Sequence, residues 1–150
     1  MNAISQWWAI PMLTSGGLFV GGVLSIALER VPAWRAADPS DFRAGFAHTL
    51  RRVDRMQPAL LVICLASTIG FAATTDGMAR TLALSAAGGM LIVLAGSLAW
   101  LVPIQRRLVA SAPPPPADVV RLRARWLRGH LARAALALAF FVPAVVAAVV

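Results

Sequence analysis

Four stretches of this chain carry no charged residue, and they constrain everything else. Residues 8–28, 58–75, 81–104 and 134–150 are charge-free runs of 21, 18, 24 and 17 residues. About 20 residues of helix cross the ~30 Å hydrocarbon layer of a bilayer, so the first and third runs span it outright and the other two do so with flanking residues. Lipid admits only helices or closed barrels, because every backbone polar group needs an internal partner there. None of the runs alternates with period two, as barrel strands would. The expected fold is therefore all-α. One integral membrane domain covers residues 1–150 as a four-transmembrane-helix bundle with helical extensions between spans.

Charge supplies the orientation. The chain has 14 arginines, no lysine, six acidic residues and a formal net charge of +8. Basicity of this size raises nucleic acid as a partner. The chain is 59% hydrophobic and only 13% charged, which makes the anionic head groups of a lipid bilayer the better counter-charge. Six arginines fall in residues 29–57 and seven in 105–133, against one in 76–80 and none before residue 29. The positive-inside tendency then puts both arginine-rich connections in the cytoplasm and both termini outside, as expected for a bacterial plasma (inner) membrane protein. Cys64 is the sole cysteine, so an intramolecular disulfide is excluded. No cationic side chain precedes Arg30, which argues against a cleaved signal segment.

Along the first run, Gly17 and Gly21 have the spacing that lets helix backbones approach closely, with Gly16, Gly22 and Ser25 as further small surfaces. Glu29 shares a helical face with Gly22 and Ser25, either as a site residue or as an interfacial partner of nearby arginines. Asp38-Pro39 then has the chemistry of a helix start. Phe42, Phe46, Thr49, Leu50, Val53 and Gln57 come next on one face, and His48 lies on the other beside Arg51, Arg52 and Arg55. Ser85, Gly89, Gly96, Trp100 and Pro103 are read as one packing face of the third span. Pro113 to Pro116 form a polyproline spacer, and Asp118 is expected to cap the next helix.

That last segment runs from Asp118 to Arg133 and sorts its residues onto two sides. Arg121, Arg125 and Arg128 form a basic face suited to a membrane surface. Val119, Leu122, Trp126, His130, Arg133 and Ala137 form the face that meets the rest of the protein. An aromatic, an imidazole and a guanidinium on an inward face make a candidate site. The bland alternative has Trp126 as an interfacial belt residue, His130 stacked on it and Arg133 reaching toward the head groups.

Four features resemble the anthrone oxygenase-like family of small four-helix membrane proteins. The glycine-rich first span closes on an acidic residue and a proline (Glu29, Pro32). A basic helix ends in Arg55-Met56-Gln57-Pro58. The third span ends in Pro103, Gln105 and Leu108, with Gln105 where the family commonly has asparagine. The fourth opens on Trp126, His130 and Arg133. The resemblance covers nearly the whole chain and implies oxidation of an anthrone to an anthraquinone by dioxygen, with no resident cofactor.

An anthrone loses a C–H proton to give an aromatic, phenolate-like anion that reacts with dioxygen directly. Such chemistry needs a base, a cationic holder for the oxyanion and an apolar slot. His130 is the expected base and Arg133 the oxyanion holder, with Glu29 orienting one of them. Trp126, Gln105 and Ser25 are expected to bind the substrate, a hydrophobic aromatic molecule. Base assistance is typically worth about 10²–10⁴ in rate and an oriented oxyanion donor about 10²–10³. Two other readings stand beside this one. The first is a metal- or haem-binding bundle using His130, His48 and Glu29, although no metal-motif spacing occurs. The second is a non-catalytic membrane partner or lipid-binding protein. No Ser-His-Asp grouping, phosphate loop or nucleotide fingerprint is present.

Overall fold

A computed structural model describes residues 3–52 and 56–150. The described residues form helices joined by short turns, with no strand among them. Helix α1 (Ala3–Ser25) passes through a π-helical turn (Ile26–Arg30) into α2 (Val31–Ala36). α3 (Pro39–Arg52) precedes α4 (Gln57–Ala73). α5 (Gly77–Gly96) passes through a second π-helical turn (Ser97–Leu101) into α6 (Val102–Leu108). α7 (Pro116–Ala147) completes the chain. Three helical stretches are long and apolar enough to cross a membrane: Ala3–Ala36, Gly77–Leu108 and Pro116–Ala147. The pair α3 and α4, bent by 44°, makes a fourth if it is counted as one span.

The two π turns have one cause. Each ends at a Val-Pro step, Val31-Pro32 or Val102-Pro103. A proline inside a helix lacks the N–H and its ring collides with the carbonyl four residues back. Widening the preceding turn by one residue moves that carbonyl aside. The backbone shows the wider register directly: Val31 N–H donates to the Ile26 carbonyl and Val102 N–H to that of Ser97, each five residues back. These turns let the helical path of α1 and α5 continue beyond the apolar runs while re-aiming α2 and α6.

Two cores result. The apolar parts of α1, α4, α5 and α7 pack around Met12, Phe19, Val23, Phe71, Ala86 and Ala137. α1 lies along α4 and α5 along α7, and α4 joins the two pairs. The second core, at the arginine-rich end, gathers Trp34 of α2, Phe42 and Phe46 of α3 and Trp126 of α7. Their rings meet largely edge to face at 4.8–5.9 Å between centroids. Such pairs contribute about 0.5–1.5 kcal/mol each beyond area burial. Two arginines tie this end together. Arg43 donates to the Leu108 and Ala110 carbonyls at 3.0 and 3.2 Å, supplying partners for the end of α6, and Arg123 donates to the Ala37 carbonyl.

The last helix runs unbroken from Pro116 through the arginine-rich segment into the final apolar run. Several sequence expectations need correction. Asp118 is not the cap of that helix. Pro115 holds that position and Asp118 sits in the first turn, 2.9 Å from Arg121. In α1 the close approaches belong to Gly16, against Phe141 and Cys64, and to Gly22, against Gln57, while a Cβ on Gly21 would meet nothing within 4 Å. Of the five residues read as the packing face of the third span, only Gly89 packs tightly, under the Phe140 ring, whereas Ser85, Gly96, Trp100 and Pro103 are exposed. Phe42, Phe46 and Thr49 are buried on one face of α3 and His48 is exposed on the other. Val53 and Arg55, assigned to those faces, lie outside the described residues.

Candidate functional site

His130 is fully buried at the inner face of α7. Its ring stacks on Trp126, with centroids 4.8 Å apart and planes 14° from parallel. Nε2 lies 3.0 Å from the Val23 carbonyl oxygen of α1, and Nδ1 lies 3.0 Å from Arg133 Nη2. A carbonyl only accepts and a guanidinium only donates, so these partners dictate the tautomer. Nε2 carries the proton and donates to Val23. Nδ1 accepts from Arg133. The ring is neutral and its lone pair is already in use.

This geometry changes what each expected residue can do. A general base needs an open lone pair aimed at the substrate. His130 offers one only after the Arg133 hydrogen bond breaks. Trp126 is 2% exposed and surrounded by Trp34, Phe46 and His130, so it acts here as a core residue that holds the imidazole flat. Its indole N–H has no hydrogen-bond partner among the described residues.

Arg133 is the residue that meets open space. It borders two cavities, one on each side of the second π turn. The larger, about 330 Å³, is lined by Ile92, Val93, Gly96, Ser97, Trp100, Leu101, Gly129, Ala132, Leu136 and Arg133. Among the described residues Arg133 is the only charged one in that lining, and the Ser97 hydroxyl is committed to the Val93 carbonyl at 2.7 Å. The smaller, about 60 Å³, brings Arg133 together with Gln57 and Gln105. Gln105 is buried there. Gln57 stands out in the sequence only as a helix-face residue and as part of the step before Pro58. Its amide rests on Gly22, where a Cβ would collide with Nε2, and its Oε1 is buried with no hydrogen-bond partner among the described residues. A buried acceptor in that state calls for a donor. A polar amide at the mouth of an apolar run is the signal that could have found it.

Glu29 and Ser25 go elsewhere. They line a third cavity of about 320 Å³ with Gly22, Ile26, Arg30, His48, Thr49 and Arg52. Gly22, Ser25 and Glu29 do share a face, but the residue of α1 that meets the imidazole is Val23. The Glu29 side chain is 66% exposed and lies 3.6 Å from Arg30, so it neither orients His130 nor pairs with Arg133. His48 joins Glu29 in that cavity, apart from His130. Among the described residues no three His, Cys, Asp or Glu side chains converge as a metal would require. The ligand set of His130, His48 and Glu29 is thus not assembled.

Compared with protein-family models, curated proteins and solved structures, the chain matches none of them.

Proposed function

We propose that the protein is a four-span membrane enzyme that binds an apolar aromatic molecule beside Arg133 and oxidises it with dioxygen, as the resemblance to the anthrone oxygenase-like family implies. Its arginine-rich end faces the cytoplasm of a bacterial cell and both termini lie outside. The observation that carries this reading is the single guanidinium at the edge of an otherwise apolar cavity of about 330 Å³. That volume lies in the range of small-molecule sites, and one charged group in an apolar wall fits a flat molecule with one oxyanion. Buried in such surroundings, a guanidinium stabilises an enolate or phenolate far better than water does.

In this scheme Arg133 holds the oxyanion and His130 positions Arg133. Substrate oxygen competes with Nδ1 for the Arg133 donor, and the exchange frees the imidazole lone pair to take the C–H proton. Gln57 Oε1 and the Gln105 amide serve any further hydroxyl of the substrate from the smaller cavity. The anthrone carbanion then adds dioxygen to give a peroxide, the imidazolium returns its proton to that peroxide, and loss of water with the remaining C–H proton leaves the quinone.

The test uses detergent-purified protein, air and an anthrone, with oxygen uptake and quinone absorbance followed together. Wild type is expected to turn over. Arg133→Met should lower the rate by about 10²-fold or more. Gly96→Phe should block the cavity, since a Cβ at Gly96 meets open space there. Absence of both binding and oxygen uptake with anthrone-like phenols would sink the proposal.

A further inference from the structure

The arginine-rich end holds a further cavity, whose chemistry differs from that of the cavities beside Arg133. About 270 Å³ in volume, it is lined by Arg35, Val120, Arg123, Ala124, Leu127 and Arg128. Three of these six side chains are guanidinium-bearing and none is acidic. The ion pairs among the described residues, Arg30 with Glu29 and Arg121 with Asp118, involve none of the three. Arg123 uses one donor on the Ala37 carbonyl and lies over the Phe42 ring, 5.5 Å from its centroid, which anchors it. Arg128 uses Nε on the Ala124 carbonyl at 3.3 Å. Each guanidinium has five N–H donors, so most remain for a ligand.

We infer that this cavity binds a phosphate group. Three like charges drawn from α2 and α7 around one small space repel one another, and an anion between them reverses that cost. Guanidinium forks match phosphate oxygens in pairs, whereas a compact monovalent anion satisfies fewer of them. The remaining lining, Val120, Ala124 and Leu127, is apolar. Arg128 lies only about 9 Å along α7 from Ala134, where the charge-free run begins. A phosphate at this level comes either from the head group of an anionic phospholipid, with its glycerol end against the apolar residues, or from solution. The site is separate from the one beside Arg133 and does not depend on the oxidation chemistry proposed there.

The experiment takes the full chain in detergent and adds phosphatidylglycerol, phosphatidylcholine or inorganic phosphate. Lipid retention is read by native mass spectrometry and protection by thermal melting. The variants are the double substitution R35Q/R128Q and, as a control for diffuse surface charge, R106Q/R107Q. Arg123 is left intact because it also anchors Ala37 and Phe42. Each arginine near an anionic surface is worth about a fivefold change in affinity, so R35Q/R128Q should lose phosphatidylglycerol binding about 25-fold. The control should change it less than about threefold and phosphatidylcholine should bind no variant selectively. Protection by phosphatidylglycerol at micromolar levels identifies the head group as the source. Protection by millimolar inorganic phosphate alone, lost in R35Q/R128Q, identifies a soluble phosphate. Equal retention by wild type and R35Q/R128Q, or an equal loss in R106Q/R107Q, overturns the inference.

Discussion

The two π turns are built alike and serve unlike surroundings. Both lie one step before a Val-Pro pair, both carry an amide-to-carbonyl bond spanning five residues, and both border a cavity of similar size. The turn at Ile26–Arg30 opens toward Ser25, Glu29, His48 and Arg52, a polar space at the protein surface. The turn at Ser97–Leu101 opens toward leucine, isoleucine and tryptophan side chains with one guanidinium among them. Proline dictates the backbone in both. The chemistry of each cavity comes from the helix opposite: α3 brings His48 and Arg52 to the first, α7 brings Arg133 to the second. The same local device therefore yields an exposed ion pair in one place and a buried imidazole–guanidinium pair in the other.

The widest gap between the two is expected in stability. His130→Ala removes a fully buried ring, its stack on Trp126 and both of its hydrogen bonds, leaving the Val23 carbonyl without a side-chain donor. A cost of about 3–5 kcal/mol is expected, the range for deleting a large buried side chain with unsatisfied polar groups left behind. Unfolding titrations in mixed micelles measure it. A loss below about 1 kcal/mol would mean that the ring is not held between Val23 and Arg133.

Gly22→Ala probes the contact between Gly22, which lines the polar cavity, and Gln57, which lines the small cavity with Arg133. Its new Cβ would occupy the place of the Gln57 amide, forcing that side chain to move. Overpacking of this kind typically costs about 1–3 kcal/mol. Gly21→Ala, one residue away and facing open space, should be neutral within about 0.5 kcal/mol. If the two variants melt alike, α1 does not present Gly22 to Gln57.

How far the fold and the site are legible in the sequence depends on what each residue answers to. The all-helical fold and the inward turn of Trp126, His130 and Arg133 come from the charge-free runs and from the 3.6-residue period of the α-helical stretch from Asp118 to Arg133. The placement of Glu29 beside His130 fails for a different reason. Glu29 does share a face with Gly22 and Ser25, but that face borders another cavity, and nothing local shows that Val23 is the residue of α1 that meets the imidazole. Spacing favours Gly17 and Gly21 over Gly16 and Gly22 because a helix apolar on all sides has no pattern to mark its packing face. The position of the His130 proton depends on a carbonyl 107 residues away in the chain, and no local pattern encodes that. Arg123, on neither of the two faces read from the sequence, is fixed by Ala37 and Phe42, which are also remote along the chain.

The smallest effect is the one that isolates the contrast best. Glu29→Gln removes a carboxylate whose ion-pair partner is its chain neighbour Arg30, at 3.6 Å and with both side chains more than half exposed. Exposed pairs contribute about 0–1 kcal/mol, so the expected change in stability is at most about 0.5 kcal/mol. Turnover and ligand binding beside Arg133 should also be unchanged, because Glu29 borders a different cavity from Arg133. A stability change above about 1.5 kcal/mol, far outside the range for an exposed pair, or a tenfold fall in turnover, would show that Glu29 reaches the imidazole pair in the working protein. The first π turn would then belong to the same site as the second.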